Sequence, residues 1–286
     1  MRFKVKVVDG HLHSSPKGLG GYAIATKFKD VGGVFMVLVS LPPNHYGLPG
    51  GLEGLIKSFD LHVRECKAAS EAGVLVVCLA GIHPSYVDSL VKDLGLHRID
   101  EILHVIENAL KHLITLRREG FIQGFGEFGR PHYKTLPESL VLNELIMSEV
   151  FEIARDTDSI VHLHLEQAGI ATVKTVDAYV RSANLPKKRV VFHHASINVV
   201  RYAEELGYYS TILGREELIA KALSLNLKNV LIESDYIDDP GRPGVVMYPW
   251  ELVKEVEEVA RKKAIPTQDL LSRFLENVKY VYDVDL

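Results

Sequence analysis

The chain has 286 residues, 47% of them hydrophobic and 24% charged. That length suits one large α/β barrel or two small domains, with a core big enough to need no structural metal or disulfide framework. The net charge of -4, from 33 Lys and Arg against 37 Asp and Glu, excludes a globally basic surface of the kind that grips nucleic acid.

The opening residues, MRFKVKVVDG, carry no apolar leader, and no run reaches the ~18–20 apolar residues of a membrane span. A cytoplasmic protein with no membrane partner is expected. A first strand is predicted over 4–9, running into Asp9-Gly10-His11-Leu12-His13. Residues i and i+2 of a strand point the same way, so His11 and His13 present two imidazoles to one side. Imidazole is a good ligand for zinc and similar ions. A second strand over 34–41 leads into the Gly/Pro-rich loop 42–51, which holds His45. A helix over 52–72 carries Cys66, and a third strand over 74–80 carries Cys78, followed by His83. With two cysteines in all, a disulfide framework is excluded though one bridge is not, and both are expected as reduced structural residues.

A helix over 101–118 places Ile102, Ile106, Ala109, Leu113 and Leu116 on one stripe. The fourth strand, 122–127, ends in Glu127, set among Gly124, Gly126 and Gly129. A lone acid after a buried strand is costly unless paired or ligated, and glycines let backbone and ligand approach closely. The loop that follows holds Arg130, His132, Tyr133 and Lys134, able to grip an anionic group of a substrate. A helix over 138–154 is expected to bury Val141, Leu145, Phe151 and Ala154.

On the fifth strand, 160–165, His162 and His164 share a face with Glu166 just beyond. His164, nearer the end, is the better ligand, and His162 is a deeper hydrogen-bonded residue. Glu166 orients a ligand, contacts substrate or forms an ion pair. The sixth strand, 189–194, closes on His193-His194. Alternation sends one of them to the site and the other to the helix layer. Helices over 197–206 and 215–225 flank a seventh strand at 209–213, and the eighth, 230–235, ends in Glu233-Ser234-Asp235. The loop 239–249, with Arg242, precedes a last helix over 249–263.

Near-continuous apolar strands alternating with amphipathic helices predict an α/β fold, a TIM-like (β/α)8 barrel, over 1–286 as a single domain, with a doubly wound sheet as the structural alternative. Composition shows no linker. The His, Glu and Asp residues fall at the C-terminal ends of strands 1, 4, 5, 6 and 8, where a barrel gathers its metal site.

The motifs DGHLH, KFKDVGG, GIHP at 81–84, GEFGRPHY at 126–133, HLHLE at 162–166 and ESD at 233–235 resemble those of the TatD-related metal-dependent hydrolases of the amidohydrolase superfamily, in an archaeal TatD-like branch. GEFGRPHY is the most specific of them. The resemblance implies a binuclear metal centre. His11 and His13 would bind the first ion, Glu127 would bridge, His164 would bind the second, and Asp235 would face the first ion and the nucleophilic water. For the sixth strand, typical members select His193. The archaeal spacing, 13 residues to Gly207, selects His194, and His194 is the choice made here. Members also follow the bridging acid with Gly-Leu-Asp, where this chain has Phe128-Gly129-Arg130, which bears on substrate more than on metal.

The expected activity is metal-dependent hydrolysis of an ester bond, as in a TatD-like phosphodiesterase or deoxyribonuclease, with Asp235 and Glu127 catalytic. One or two divalent ions are expected, Zn, Mn, Fe or Co rather than Mg, given the imidazoles. Arg130, His132, Tyr133 and Glu166 are the expected substrate contacts. A small or extended anionic ester, or a single-stranded nucleic acid end, is the expected partner. Rival readings are a lactone, carboxylic ester or amide hydrolase, and a non-catalytic metal-binding barrel.

Overall fold

A computed structural model describes residues 5–286 and resolves the apolar runs into eight parallel strands in the order β1-β2-β3-β4-β5-β6-β7-β8. They are β1 (Val7–Leu12), β2 (Gly33–Val39), β3 (Leu75–Ala80), β4 (Gly124–Gly129), β5 (Ile160–His164), β6 (Val190–Phe192), β7 (Tyr209–Leu213) and β8 (Val230–Glu233). Between them run α1 (Gly21–Asp30), α2 (Gly51–Glu71), α3 (Pro84–Leu94), α4 (Ile99–Arg118), α5 (Pro137–Asp156), α6 (Ile170–Ser182), α7 (Ile197–Glu205) and α8 (Glu216–Ser224). Two further helices, α9 (Leu252–Lys263) and α10 (Thr267–Tyr282), end the chain. Just past β8, Asp235 N–H donates to the His11 carbonyl at 3.0 Å and His13 N–H to the Tyr236 carbonyl at 2.8 Å. These bonds lay the end of the last strand against the first, so the sheet is the (β/α)8 barrel rather than an open doubly wound sheet. Among the described residues no helix is long and apolar enough to cross a membrane.

Strand β1 begins later than the predicted 4–9, of which residue 4 lies outside the described residues, and it runs on through Gly10 to Leu12. Asp9-Gly10 reads as a turn in sequence. In the barrel Gly10 is a packing residue, since a Cβ there would stand 3.0 Å from both the Ile232 carbonyl and the Thr211 methyl. Asp9 takes backbone N–H groups from Ser234 at 2.9 Å and His11 at 3.2 Å, which fixes the β1–β8 junction. The α4 stripe is buried as its spacing predicts. On α5 the buried face is instead Leu142, Ile146, Met147, Val150, Phe151 and Ala154, while Val141 and Leu145 are exposed. The helix is apolar on more than one side, so periodicity alone did not choose the face.

The cysteines also depart from expectation. Cys66 of α2 and Cys78 of β3 are joined as a disulfide, with Cα atoms 5.8 Å apart. The prior for reduced thiols came from compartment; the pairing comes from where α2 packs on β3.

The glycines of β4 exist for close approach. A Cβ at Gly124 would run into the Ile160 backbone on β5, and Gly129, at φ 138, lies against the His164 backbone. Gly124→Ala is therefore expected to lower stability by about 1–3 kcal/mol, the usual range for overpacking. Urea denaturation measures it. Gly50→Ala, at φ -68 with open space around the new methyl, is the control that stays near wild type. Equal midpoints for the two variants would refute the packing argument.

Candidate metal centre

Three imidazoles at the barrel mouth, those of His11, His13 and His193, are oriented by a partner on the far nitrogen. His13 Nδ1–H donates to the Val39 carbonyl at 2.8 Å, leaving Nε2 with its lone pair facing inward. His193 Nδ1–H donates to Glu233 Oε2 at 2.8 Å, which likewise presents Nε2. His11 Nδ1 sits 2.9 Å from His162 Nδ1, and His162 Nε2 sits 2.8 Å from the Tyr282 hydroxyl. With His11 donating to His162 and His162 to Tyr282, His11 Nε2 is also free. Such outer partners set the tautomer and aim of a metal-ligating imidazole. His83 is set the other way. Its Nδ1 accepts from Ser85 N–H at 3.0 Å and lies 2.7 Å from the Ser85 hydroxyl, so Nε2 carries the proton.

These groups surround Glu127, which β4 holds at its C-terminal end. Glu127 Oε1 is 3.3 Å from His11 Nε2 and 3.2 Å from His13 Nε2. Oε2 is 2.8 Å from His164 Nδ1, 3.6 Å from His193 Nε2 and 3.8 Å from His83 Nε2. Asp235 Oδ1 lies 3.8 Å from His13 Nε2 and 3.6 Å from His193 Nε2. Asp235 holds φ 48 and His194 φ 35, left-handed backbone that non-glycine residues rarely adopt and that concentrates at functional sites.

Burial works to raise Glu127, but the imidazoles of His193, His11, His13 and His164 outweigh it and hold its carboxyl well below the usual range. Burial would lower His13, yet its bond and charge interaction with Glu127, aided by Asp235, raise it. Burial lowers His11 to about 4 and drives His193 well down. It raises Asp235 to about 7, against the pull of His13. Desolvation and the Asp235 charge raise Glu233 well above a normal glutamate. The cluster is thus one ionised carboxylate among mostly neutral imidazoles, the state in which imidazole ligates.

The structure brings together His11, His13, Glu127, His164 and Asp235. It adds His193, the alternative not chosen from sequence, and His83, which the sequence offered through the GIHP motif as a weaker candidate for holding an anionic group. His193 and His194 do not alternate. β6 ends at Phe192, and the positive φ of His194 turns both rings to one cavity. His193 stacks on His11, with ring centroids 3.5 Å apart, while His194 sits further out, 4.9 Å from the His164 ring and 5.5 Å from His132. The cavity, of about 260 Å³, is lined by His132, His45, His83 and Arg242 among others.

Of the expected substrate contacts, only His132 lines that cavity. Arg130 is buried and held by Glu166, Nε to Oε2 at 2.8 Å and Nη2 to Oε1 at 2.7 Å, with Glu144 at 3.3 Å. Its charge is spent on joining β4, β5 and α5, so neither Arg130 nor Glu166 is free to meet a substrate. Tyr133 packs edge-on against the His132 ring.

The donor set fits divalent metal. His11, His13 and Glu127 form one group of converging ligand atoms, and Glu127 and His164 lie in another beside His83, whose Nε2–H is a donor there rather than a ligand. His164 Nε2 and His194 Nε2 are buried without a protein partner, and both residues line the cavity, where these nitrogens are available as metal donors.

Removing Arg130 leaves Glu166 and Glu144 facing an emptied site. Arg130→Ala is expected to cost up to about 3 kcal/mol, the lower end for a broken buried pair because Glu166 is partly exposed. Denaturation of Arg130→Ala, Glu166→Ala and the double variant tests it. A double variant no less stable than Arg130→Ala is expected, and strictly additive losses would remove the pair.

Comparison with known proteins identifies the family. The family described as TatD related DNase matches residues 8–283. The uncharacterized protein MJ1127 of Methanocaldococcus jannaschii is 27% identical over 285 residues, covering 98% of this chain and 96% of that one. Among solved structures, the TatD-like protein AF1765 of Archaeoglobus fulgidus superposes with a TM-score of 0.66 at 18% identity, covering 97% of this chain and 100% of that one. The TatD homolog YJJV of Escherichia coli K12 gives 0.63 at 16%, covering 98% of each. At those identities the two structures speak for the fold, and the family match speaks for descent. The chain belongs to the TatD-related DNase family of metal-dependent hydrolases.

Proposed function

We propose that His11, His13, Glu127, His164, His193 and Asp235 would hold two divalent ions, with Glu127 shared between them, and that the protein hydrolyses a phosphodiester presented by a small molecule or a single-stranded nucleic acid end. One observation carries the two-ion reading: the two oxygens of Glu127 face separate sets of imidazoles, His11 and His13 on one side, His164 and His193 on the other. Asp235 completes the first set. His193 takes the place assigned to His194 from sequence, because its Nε2 is aimed by Glu233 and stands 3.6 Å from both Glu127 and Asp235. Nitrogen-rich ligation favours Zn, Mn, Fe or Co over Mg. Bound there, such ions supply Lewis-acid polarisation of the scissile bond and lower the pKa of a water.

The chain's own groups do the rest. Asp235 Oδ1, its carboxyl raised to about 7, accepts a proton from the attacking water and returns it to the leaving oxygen. His83, protonated on Nε2 by the tautomer that Ser85 imposes, donates to an oxygen of the substrate. His132 and His194 form the outer wall, and Arg242 stands at the rim, its Nε–H donating to Asp239 Oδ2 at 2.8 Å and its remaining N–H groups left for an incoming oxygen. That is enough for one anionic group. It is too little to follow a duplex, and the pairing of Arg130 removes the cation the loop after β4 had promised.

The decisive experiment joins metal analysis to a substrate panel of bis(p-nitrophenyl) phosphate, a single-stranded oligonucleotide, a phosphomonoester and a lactone. Turnover of the first two, abolished by chelation and restored by Mn or Zn, is expected. Turnover of the lactone alone would overturn the phosphodiester reading. Glu127→Gln is expected to lower kcat at least about 100-fold and to reduce bound metal, since both ions lose a ligand. Full metal content in that variant would remove the bridge.

Salt separates single-anion from duplex recognition. Neutralising one or two phosphates predicts no more than about a tenfold loss of kcat/KM between roughly 50 and 200 mM salt, against ~10³–10⁵ for a protein tracking a duplex. A steep loss on double-stranded DNA would sink the single-anion reading.

A further inference from the structure

A second cluster of ligand atoms lies away from the cavity, in the layer between α2 and β3. Cys66 and His62 are four residues apart on α2 and so share one face. Cys78 meets them from the outward side of β3. One ligand atom from each lies within 4.8 Å of the others, and all three residues are buried. His62 Nε2 is 3.3 Å from Cys66 Sγ, and its Nδ1 is 3.5 Å from the Tyr46 hydroxyl. Tyr46 in turn accepts the Leu41 N–H at 3.2 Å.

The covalent bridge explains the two sulfurs but not the imidazole. A disulfide between a helix and a strand needs only apolar packing around it, and burying a His costs desolvation. Here the ring turns one nitrogen to the sulfurs and the other to a phenol. That is the arrangement of an aimed ligand with an outer hydrogen-bond partner, the same device that His13 and His193 use in the cavity. Burial keeps such a ring neutral, the form that ligates.

We propose that, once the bridge is reduced, Cys66, Cys78 and His62 form a thiolate–imidazole site for one zinc-class divalent ion, separate from the ions of the cavity. Two thiolates and an imidazole are softer than the carboxylate–imidazole set around Glu127 and select zinc over harder cations. Three protein ligands leave a fourth position for solvent. The chemistry balances. A phosphine takes the oxygen of one water and becomes its oxide, the S–S bond breaks, and two thiols form; binding the ion then releases two protons. His62 Nε2 contributes its lone pair while Nδ1–H donates to Tyr46.

Cobalt reads the site directly. The chain has only Cys66 and Cys78, so a thiolate-to-cobalt charge-transfer band can arise nowhere else. The protein is reduced with tris(2-carboxyethyl)phosphine, which has no sulfur of its own, and titrated with Co²⁺. The band is expected to account for one equivalent per chain beyond those the cavity takes up, the cavity uptake being read separately from diamide-oxidised protein; it is expected to vanish on oxidation with diamide and to return on reduction. His62→Ala is expected to weaken cobalt binding at the band at least about tenfold while both thiols remain. Cys78→Ser is expected to abolish the band, and the wild-type titration stands by itself should that variant fold poorly. The proposal is overturned if reduced wild-type protein shows no band, if the bridge resists the phosphine in native protein, or if His62→Ala binds with unchanged affinity.

Discussion

A carboxylate buried at the centre of a barrel mouth is the constraint around which this protein is organised. Glu127 is almost wholly withdrawn from solvent, and a charge so placed is tolerable only with partners on every open side. Those partners come from β1, the loop after β3, β5 and the end of β6, so the charge can be satisfied only when the barrel is closed and in register. The glycines of β4 and the Gly10 packing contact are the local consequences. They let strands approach closely enough for the imidazoles of neighbouring strands to reach the two oxygens.

Beneath the imidazoles lies a layer that gives them direction. The Val39 carbonyl, Glu233 and the His162–Tyr282 pair each occupy the far nitrogen of a ring whose other nitrogen faces the site. Tyr282 is the last residue of α10, and its ring packs on Phe35 of β2. The closing helix of the chain is thereby coupled, through two imidazoles in series, to the first ligand pair of β1. Packing at the foot of the barrel and tautomer choice at its mouth are one structural problem.

The barrel was legible because parallel strands covered on both faces write themselves as apolar runs, and the helices between them as stripes. His11, His13, Glu127 and His164 were legible because residue type and strand-end position together are unusual. What failed was whatever depended on a partner distant in sequence or on a single dihedral angle. Arg130 looked like an anion grip because its loop is rich in cations and aromatics; Glu166, 36 residues on, takes that charge. His193 and His194 looked like an either-or because strands alternate, and one positive φ past β6 turned both inward. Cys66 and Cys78 were judged by compartment, and the α2–β3 contact decided their pairing. On α5, apolar residues on two sides left the periodicity without a unique answer.

The same logic bears on what the site accepts. The residues proposed to hold metal sit at strand ends, so their geometry follows from the fold, and one fold can serve hydrolases acting on different bonds. Selectivity has to come from what the loops add. Here the loops add His45, His83, His132, His194 and Arg242, which are mostly neutral hydrogen-bonding rings with one cation at the rim. Neutral donors discriminate by the position of oxygens around a reacting centre, whereas a field of cations discriminates by the amount of negative charge. On the proposed phosphodiester reading, a wall built from imidazoles favours one well-placed anionic centre with several oxygens, and the narrow cavity of about 260 Å³ sets how much of the molecule bearing it enters.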